Sequence, residues 1–253
     1  MRLLASATRQ SLQLGVLSHA RTMTTTTAAP RIPVNLEITS DSICPFCYIG
    51  YKRITSAVDQ ARALGLPLDF TISFAPFQLD PTLPKSPGES KKDRYIRRFG
   101  DKFHQMEAQM KERGKAEGIN FSYGGPVSTT EDNHCMIFKA RELGGEATQR
   151  KYVERVFSSY FEQDKDPGSF EVLAEDAEEV GMMTKQEALD FLRSDKLKAE
   201  VKFGFQKAQA RGISGVPFTI VNGQANKLAI SGAQETDAFL DVFKRIASGE
   251  LKP

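Results

Sequence analysis

The chain has 253 residues, 40% of them apolar, with 34 basic against 32 acidic side chains and a formal net charge of +2. That length and apolar fraction suffice for a full core, and strands expected at both ends must share a sheet, so one elaborated domain fits better than two. Near-neutral charge argues against a polyanionic partner, no apolar run approaches the ~20 residues that span a bilayer, and three cysteines do not make a disulfide-stapled scaffold.

Residues 1–33 read as a disordered or targeting segment. All acidic residues lie beyond residue 36, whereas Arg2, Arg9, Arg21 and Arg31 are basic and Ser, Thr and Ala are frequent. This resembles a mitochondrial transit peptide, and Arg9 and Gln10 interrupt the apolar stretch that a secretory signal needs. The plainer alternative is a tail with no address, and a start at Met23 would leave a cytoplasmic protein. Mitochondrial localisation is the expectation.

From Val34 to Asp41, apolar Val34, Leu36 and Ile38 alternate with Asn35, Glu37 and Thr39, the period of a half-buried strand. Cys44-Pro45-Phe46-Cys47 follows at the junction with a helix. Pro45 suits the first helical position, because its fixed φ is already helical and its missing N–H would have had no partner there. Cys44 then falls at the N-cap, where its sulfur can receive the amide of Cys47 and the positive end of the helix dipole, both of which favour thiolate. The thiolate is the attacking species in disulfide exchange, so Cys44 is the expected nucleophile and Cys47, one turn further in, the resolving thiol. Pro45 and Phe46 would tune that chemistry. Zinc is the competing use of a C-x-x-C pair, but it needs four ligands, and adjacent His134 and Cys135 point about 100° apart on a helix. No metal is expected.

The helix after the motif presents Ile54, Val58 and Ala61 inward and stops near Gly65, and a second strand shows Leu68, Phe70, Ile72 and Phe74 at strict period two. Two strands flanking one helix imply a βαβ unit. A Pro/Ser/Gly loop from Asp80 to Ser90 leads into a helical region over 91–211, with helices expected at 92–113, 132–143, 149–163, 169–180, 185–193 and 196–211. Beyond it stand Gly212-Ile213-Ser214-Gly215-Val216-Pro217, a strand, an Asn222-Gly223 turn, a strand through Leu228 and Ile230, and a helix from Glu235 to Ala247. Proline at the strand entrance makes a cis Val216–Pro217 bond plausible.

Cys-Pro-Phe-Cys upstream and Val216-Pro217 downstream resemble the thioredoxin superfamily, in which a cis-proline loop faces the redox motif and holds an extended substrate segment. Asp41 to Gly50, Phe77-Gln78-Leu79-Asp80-Pro81, Gly212 to Pro217 and Gly232-Ala233-Gln234 occur in the order found in DsbA-like proteins of the FrnE type. The implied fold is α/β: a thioredoxin-like core (34–90 and 212–250) split by a helical insertion (91–211) that caps the redox face. 2-Hydroxychromene-2-carboxylate isomerases and kappa-class glutathione transferases are related, and they carry serine where this chain has Cys44. The helix bearing Asn133 departs from the FrnE-type pattern, with Phe138 at a position where that type tends to have histidine.

The resemblance implies a thiol–disulfide oxidoreductase acting on protein or small-molecule thiols, with no permanently bound cofactor and glutathione as a potential co-substrate. Val216, Pro217 and Gln234 become substrate-binding candidates, Gln234 because a helix N-terminus offers free N–H groups to a carboxylate, with simple helix capping as the alternative there. The alternatives are a glutathione-dependent isomerase or transferase, and a non-catalytic peptide-binding or holdase module. The basic run Lys91, Lys92, Arg94, Arg97 and Arg98 lacks an accompanying stacking array and reads as a solvated face, without nucleic acid or membrane as partner. Met106 and Met110 read as core, Cys135 as a buried small hydrophobe, and Glu175, Asp176, Glu178 and Glu179 as a solvated face. Oligomeric state is not legible.

Overall fold

The computed structural model describes residues 30–222 and 228–252. Strand β1 (Ile32–Ser40) is central to a four-stranded sheet of order β2-β1-β5-β6, parallel to β2 (Leu68–Pro76) and antiparallel to β5 (Phe218–Val221), which pairs with β6 (Ala229–Ser231). The β1–α1–β2 segment, with α1 at Pro45–Ala63, is the βαβ unit that the periodicities imply. Val34, Leu36, Leu68, Phe70, Ile72 and Phe74 are buried, as period-two strands require. At its C-terminal end β1 loses its alternation, and Ile38, Thr39 and Ser40 are all covered. That end therefore delivers the residues before the cysteine motif into the interior.

Between β2 and β5 lie β3 (Glu89–Ser90), α2 (Lys91–Phe99), α3 (Lys102–Ala116), β4 (Pro126–Val127), α4 (Glu131–Phe161), α5 (Phe170–Glu179), α6 (Lys185–Arg193) and α7 (Lys198–Ala210), and α8 (Thr236–Ala247) closes the chain. The helix expected at 92–113 is two, because Gly100 takes φ 59° and breaks the register. The helices expected at 132–143 and 149–163 are halves of α4, kinked where Gly144 and Gly145 leave helical φ/ψ. Asn222, at φ 52°, ends β5 and accepts the Asn35 amide at 2.6 Å, while Gly223 of the expected turn lies outside the described residues, as do residues 1–29.

Three surface assignments are corrected. Lys91 is 1% exposed: its ammonium donates to the carbonyls of Tyr160 (3.0 Å) and Ser122 (3.4 Å), lies 3.7 Å from Asp164 and sits over the Tyr160 ring. Arg94 of the same run is half-buried and ion-paired with Asp80 and Glu89. Asp176 is buried and accepts from Arg155 and Ser159, so the acidic stretch is not uniformly solvated. Met106 is 43% exposed and lines a groove rather than filling the core, whereas Met110 is buried in the core as expected and also borders that groove. Cys135 is buried as expected, and burial pushes its thiol up to about 12.

Burial lowers the Lys91 ammonium from 10.5 to about 8, against the pull of Asp164. The unfolded chain keeps that proton up to the ordinary lysine range, so between these values the folded chain binds fewer protons and stability rises with pH. Urea unfolding from pH 8 to 10 should show this rise in the wild type relative to Lys91→Met; parallel profiles would show that Lys91 does not titrate in that window.

Candidate active site

Cys44 is the N-cap of α1 in extended conformation, with Pro45 opening the helix. The turn leading to it is closed by the Cys44 amide donating to the Asp41 carbonyl at 3.0 Å. One expectation is corrected here. The Cys47 amide donates to the Cys44 backbone carbonyl at 3.0 Å, not to its sulfur, and the side chain makes no cap. An N-cap carbonyl already takes the first helical bond, which leaves the sulfur free to turn elsewhere. It turns to the facing loop, where the Cys44 thiol donates to the Val216 carbonyl at 3.5 Å. The Val216–Pro217 bond is cis.

Gly50, two turns into α1, permits this approach. A Cβ there would stand 3.0 Å from Pro217 Cγ and 3.4 Å from Ala233 Cβ, so a side chain would push the loop back by a few tenths of an ångström. The loop is held from the other side by the Gly232 amide donating to the Pro217 carbonyl at 2.9 Å. Arg53 adds a second tie, donating to the Ala233 carbonyl at 2.9 Å and pairing with Glu117 and Glu235.

The Cys44 and Cys47 side chains are within hydrogen-bond reach of each other. Both are buried, at 4% and 1% exposure, but Cys44 lines an open groove whereas Cys47 does not. Burial, and then the neighbouring Cys44, push the Cys47 thiol well above its ordinary value, opposed by hydrogen bonds from the Ser40 hydroxyl and the Asp41 amide. Attack from solvent therefore has to fall on or come from Cys44.

Asp41 ties the motif to the chain around it. Its Oδ2 accepts the Leu79 amide at 2.8 Å and its Oδ1 accepts from Ile43 at 3.4 Å, while His134 on α4 lies with Nε2 3.7 Å from Oδ1 and 3.0 Å from the Phe77 carbonyl. Asp41 and Leu79 both belong to the motif segments of the sequence, yet no local pattern announces their contact; an acid at a strand end immediately before the cysteine turn is the signal that points to it. Among the described residues, no three His, Cys, Asp or Glu side chains converge as a metal site.

The groove beside Cys44 has a volume of about 340 Å³. Its walls include Phe46, Leu83, Tyr95, Phe103, Met110 and Tyr123, with Val216 at the end near the cysteine. Phe46 is 39% exposed at the mouth, beneath the Arg113 guanidinium. Burial, and then Cys44, push the Tyr95 phenol up to about 12, so it stays protonated at neutral pH. Of the residues expected at the site, Cys44, Pro45, Phe46 and Val216 share this groove. Pro217 is buried and, like Gln234, does not line the groove; the Gln234 side-chain amide donates to the Ser231 carbonyl at 2.7 Å.

If this burial governs reactivity, Cys47 in a Cys44→Ser variant should react with iodoacetamide at pH 8.5 at least about tenfold more slowly than free cysteine, as a largely protonated thiol must. Mass spectrometry reads the rate; labelling as fast as free cysteine would contradict it.

Residues 35–244 match the DSBA-like thioredoxin domain family. The Bacillus subtilis (strain 168) protein YwbO is 25% identical over 223 residues, covering 87% of this chain and 98% of its own length. The crystal structure of a probable DsbA oxidoreductase, SCO1869 from Streptomyces coelicolor, superposes with a TM-score of 0.73 at 23% identity, covering 87% of this chain and 92% of that one. A 2-hydroxychromene-2-carboxylate isomerase structure gives a TM-score of 0.61 at 18% identity, covering 87% of this chain and 100% of that one. The fold expectation and the family resemblance therefore hold, and the chain belongs to the DSBA-like thioredoxin domain family.

Proposed function

We propose that this chain is a thiol–disulfide oxidoreductase in which Cys44 is the nucleophile and Cys47 the resolving thiol. The observation that carries the reading is the placement of two adjacent thiols at the head of α1, one lining a groove and one withheld from it. In the reducing direction the Cys44 sulfur attacks a substrate disulfide, a mixed disulfide forms and the first substrate thiolate leaves. Cys47 then gives up its proton and attacks the Cys44 sulfur, the mixed disulfide breaks, and the second substrate thiolate takes the proton. Two electrons pass to the substrate and a Cys44–Cys47 disulfide remains. The oxidising direction is the reverse.

The Cys44 thiol contributes to the high proton affinity of Cys47, so a mixed disulfide on Cys44 removes that contribution and eases the ionisation that the second attack needs. Val216 and Pro217 are the backbone against which the substrate segment would lie. A mitochondrial destination for residues 1–33 belongs to the same proposal; a reducing compartment would keep the dithiol largely reduced and favour reductase work.

The apolar groove also suits a second reading, glutathione-dependent isomerisation or transfer of an apolar substrate, in which bound glutathione supplies the thiolate and Cys44 stands by. Replacement separates the two. Cys44→Ser should lower disulfide turnover by about 10³-fold or more, as loss of a nucleophile does, and Cys47→Ser should accumulate a mixed disulfide on Cys44 visible by mass. Isomerase or transferase activity with glutathione that survives Cys44→Ser, together with no disulfide turnover in the wild type, would favour the second reading.

A further inference from the structure

We infer that Arg53 is a positioning residue for the exchange site: from behind the cysteine motif it ties α3, one wall of the groove, to the loop that carries Val216 and Pro217, and so fixes the gap into which a disulfide substrate has to fit. This rests on the thiol–disulfide reading and adds a residue to that same site.

The groove is walled by α2 and α3, through Tyr95, Phe103, Met106 and Met110, and closed near the cysteine by Gly215 and Val216. α3 buries little of itself, since Phe103, Met110 and Gly114 are its covered residues. Its C-cap is Glu117, and Glu117 Oε1 accepts from Arg53 Nε at 2.6 Å. The same guanidinium donates through Nη1 to the Ala233 carbonyl at 2.9 Å and lies 2.8 Å from Glu235, the N-cap of α8. Ala233 follows Gly232, whose amide holds the Pro217 carbonyl, and Ser231 pairs with Phe218. A shift of α3 is thereby passed to the Val216 loop through one side chain of α1. That side chain stands three residues beyond Gly50, against which Pro217 rests.

The link is strong enough for this task. The Arg53 and Glu117 side chains are 13% and 17% exposed, so the pair is largely out of water, and removing either partner leaves the other a poorly solvated charge. The Glu235 side chain is 75% exposed, and its pairing with Arg53 is worth little. At the C-terminus of α3 a cation also complements the helix dipole. The planar guanidinium fork presents donors to Glu117 and to Ala233 at once, which the point charge of a lysine does not. Exchange needs the Cys44 sulfur and both substrate sulfurs nearly in line, and a displacement of ~1 Å can cost ~10²-fold in rate. A substrate that touches both walls feels such a displacement. One too small to span them does not.

The test is single-turnover reduction of two disulfides by the reduced full chain: an end-capped peptide disulfide with phenylalanine beside each cysteine, which spans the groove, and hydroxyethyl disulfide, which does not. Arg53→Met should slow reduction of the peptide about tenfold or more and of hydroxyethyl disulfide less than about twofold, as a lost orientation effect requires. Glu117→Gln should show the same selectivity, and adding it to Arg53→Met should cost little more, because both changes break one link. Equal slowing of both disulfides in folded Arg53→Met would place the effect on the cysteine motif or the whole fold and overturn the proposal. An unchanged peptide rate, or losses that simply add in the double variant, would overturn it too. If Arg53→Met does not fold, Glu117→Gln, which keeps the side-chain volume, decides by the same comparison. A wild type that reduces hydroxyethyl disulfide but not the peptide overturns this inference alone, and one that reduces neither overturns the thiol–disulfide reading with it.

Discussion

The Cys44 sulfur reaches the Val216 carbonyl across 172 residues of sequence, and that contact depends on β1 pairing with β5. The antiparallel register that sets Thr39 opposite Phe218 brings the end of one strand beside the start of the other, and the two loops beyond them face each other. Asp41 fastens the first loop to Leu79, and Gly232 fastens the second through Pro217. Everything between β2 and β5 can be a helical insertion of any length, because loop-closure entropy grows only logarithmically once the strand pair exists. α2 and α3 then have a fixed edge to wall in, and the groove forms against it.

Burial does two opposite things at this site. It withholds Cys47 from solvent and raises its proton affinity, which confines outside chemistry to Cys44. It also collects polar groups that must be satisfied, and the fold does this with backbone: Lys91 on the carbonyls of Tyr160 and Ser122, Asp41 on the amides of Ile43 and Leu79. At the groove the same requirement is met by pairing side chains with each other, Asp80 with Arg94 and Arg98 and Glu107 with Lys111.

The strands and α1 were legible because period two from Leu68 to Phe74 and the sharp punctuation by Pro45 and Gly65 leave little choice of structure. Helix boundaries at Gly100 and at Gly144-Gly145 were not, since a glycine can end a helix or kink one, and only packing decides. The cysteine motif has a local backbone signature, whereas the Val-Pro loop could be set facing it only through the resemblance to the thioredoxin superfamily, since a Val-Pro pair alone carries little signal. Lys91 and Asp176 read as solvated for a common reason: a buried charge is recognised by its partners, and these lie far along the chain, at Tyr160 and Asp164 for Lys91 and at Arg155 for Asp176; the half-buried Arg94 pairs closer by, with Asp80 and Glu89, across a loop and a strand that no helical spacing announces. The Cys44 side-chain rotation was likewise illegible, because it answers to Val216 rather than to its own helix.

The claim beneath all of this is that Cys44 and Cys47, and not Cys135, form the redox pair. Equilibration of the full chain in glutathione buffers of graded potential, followed by acid quenching, thiol labelling and peptide mapping, tests it directly. The account predicts one two-electron transition that links Cys44 to Cys47 and leaves Cys135 labelled throughout. A disulfide that includes Cys135, or three labelled thiols at every potential, would contradict it.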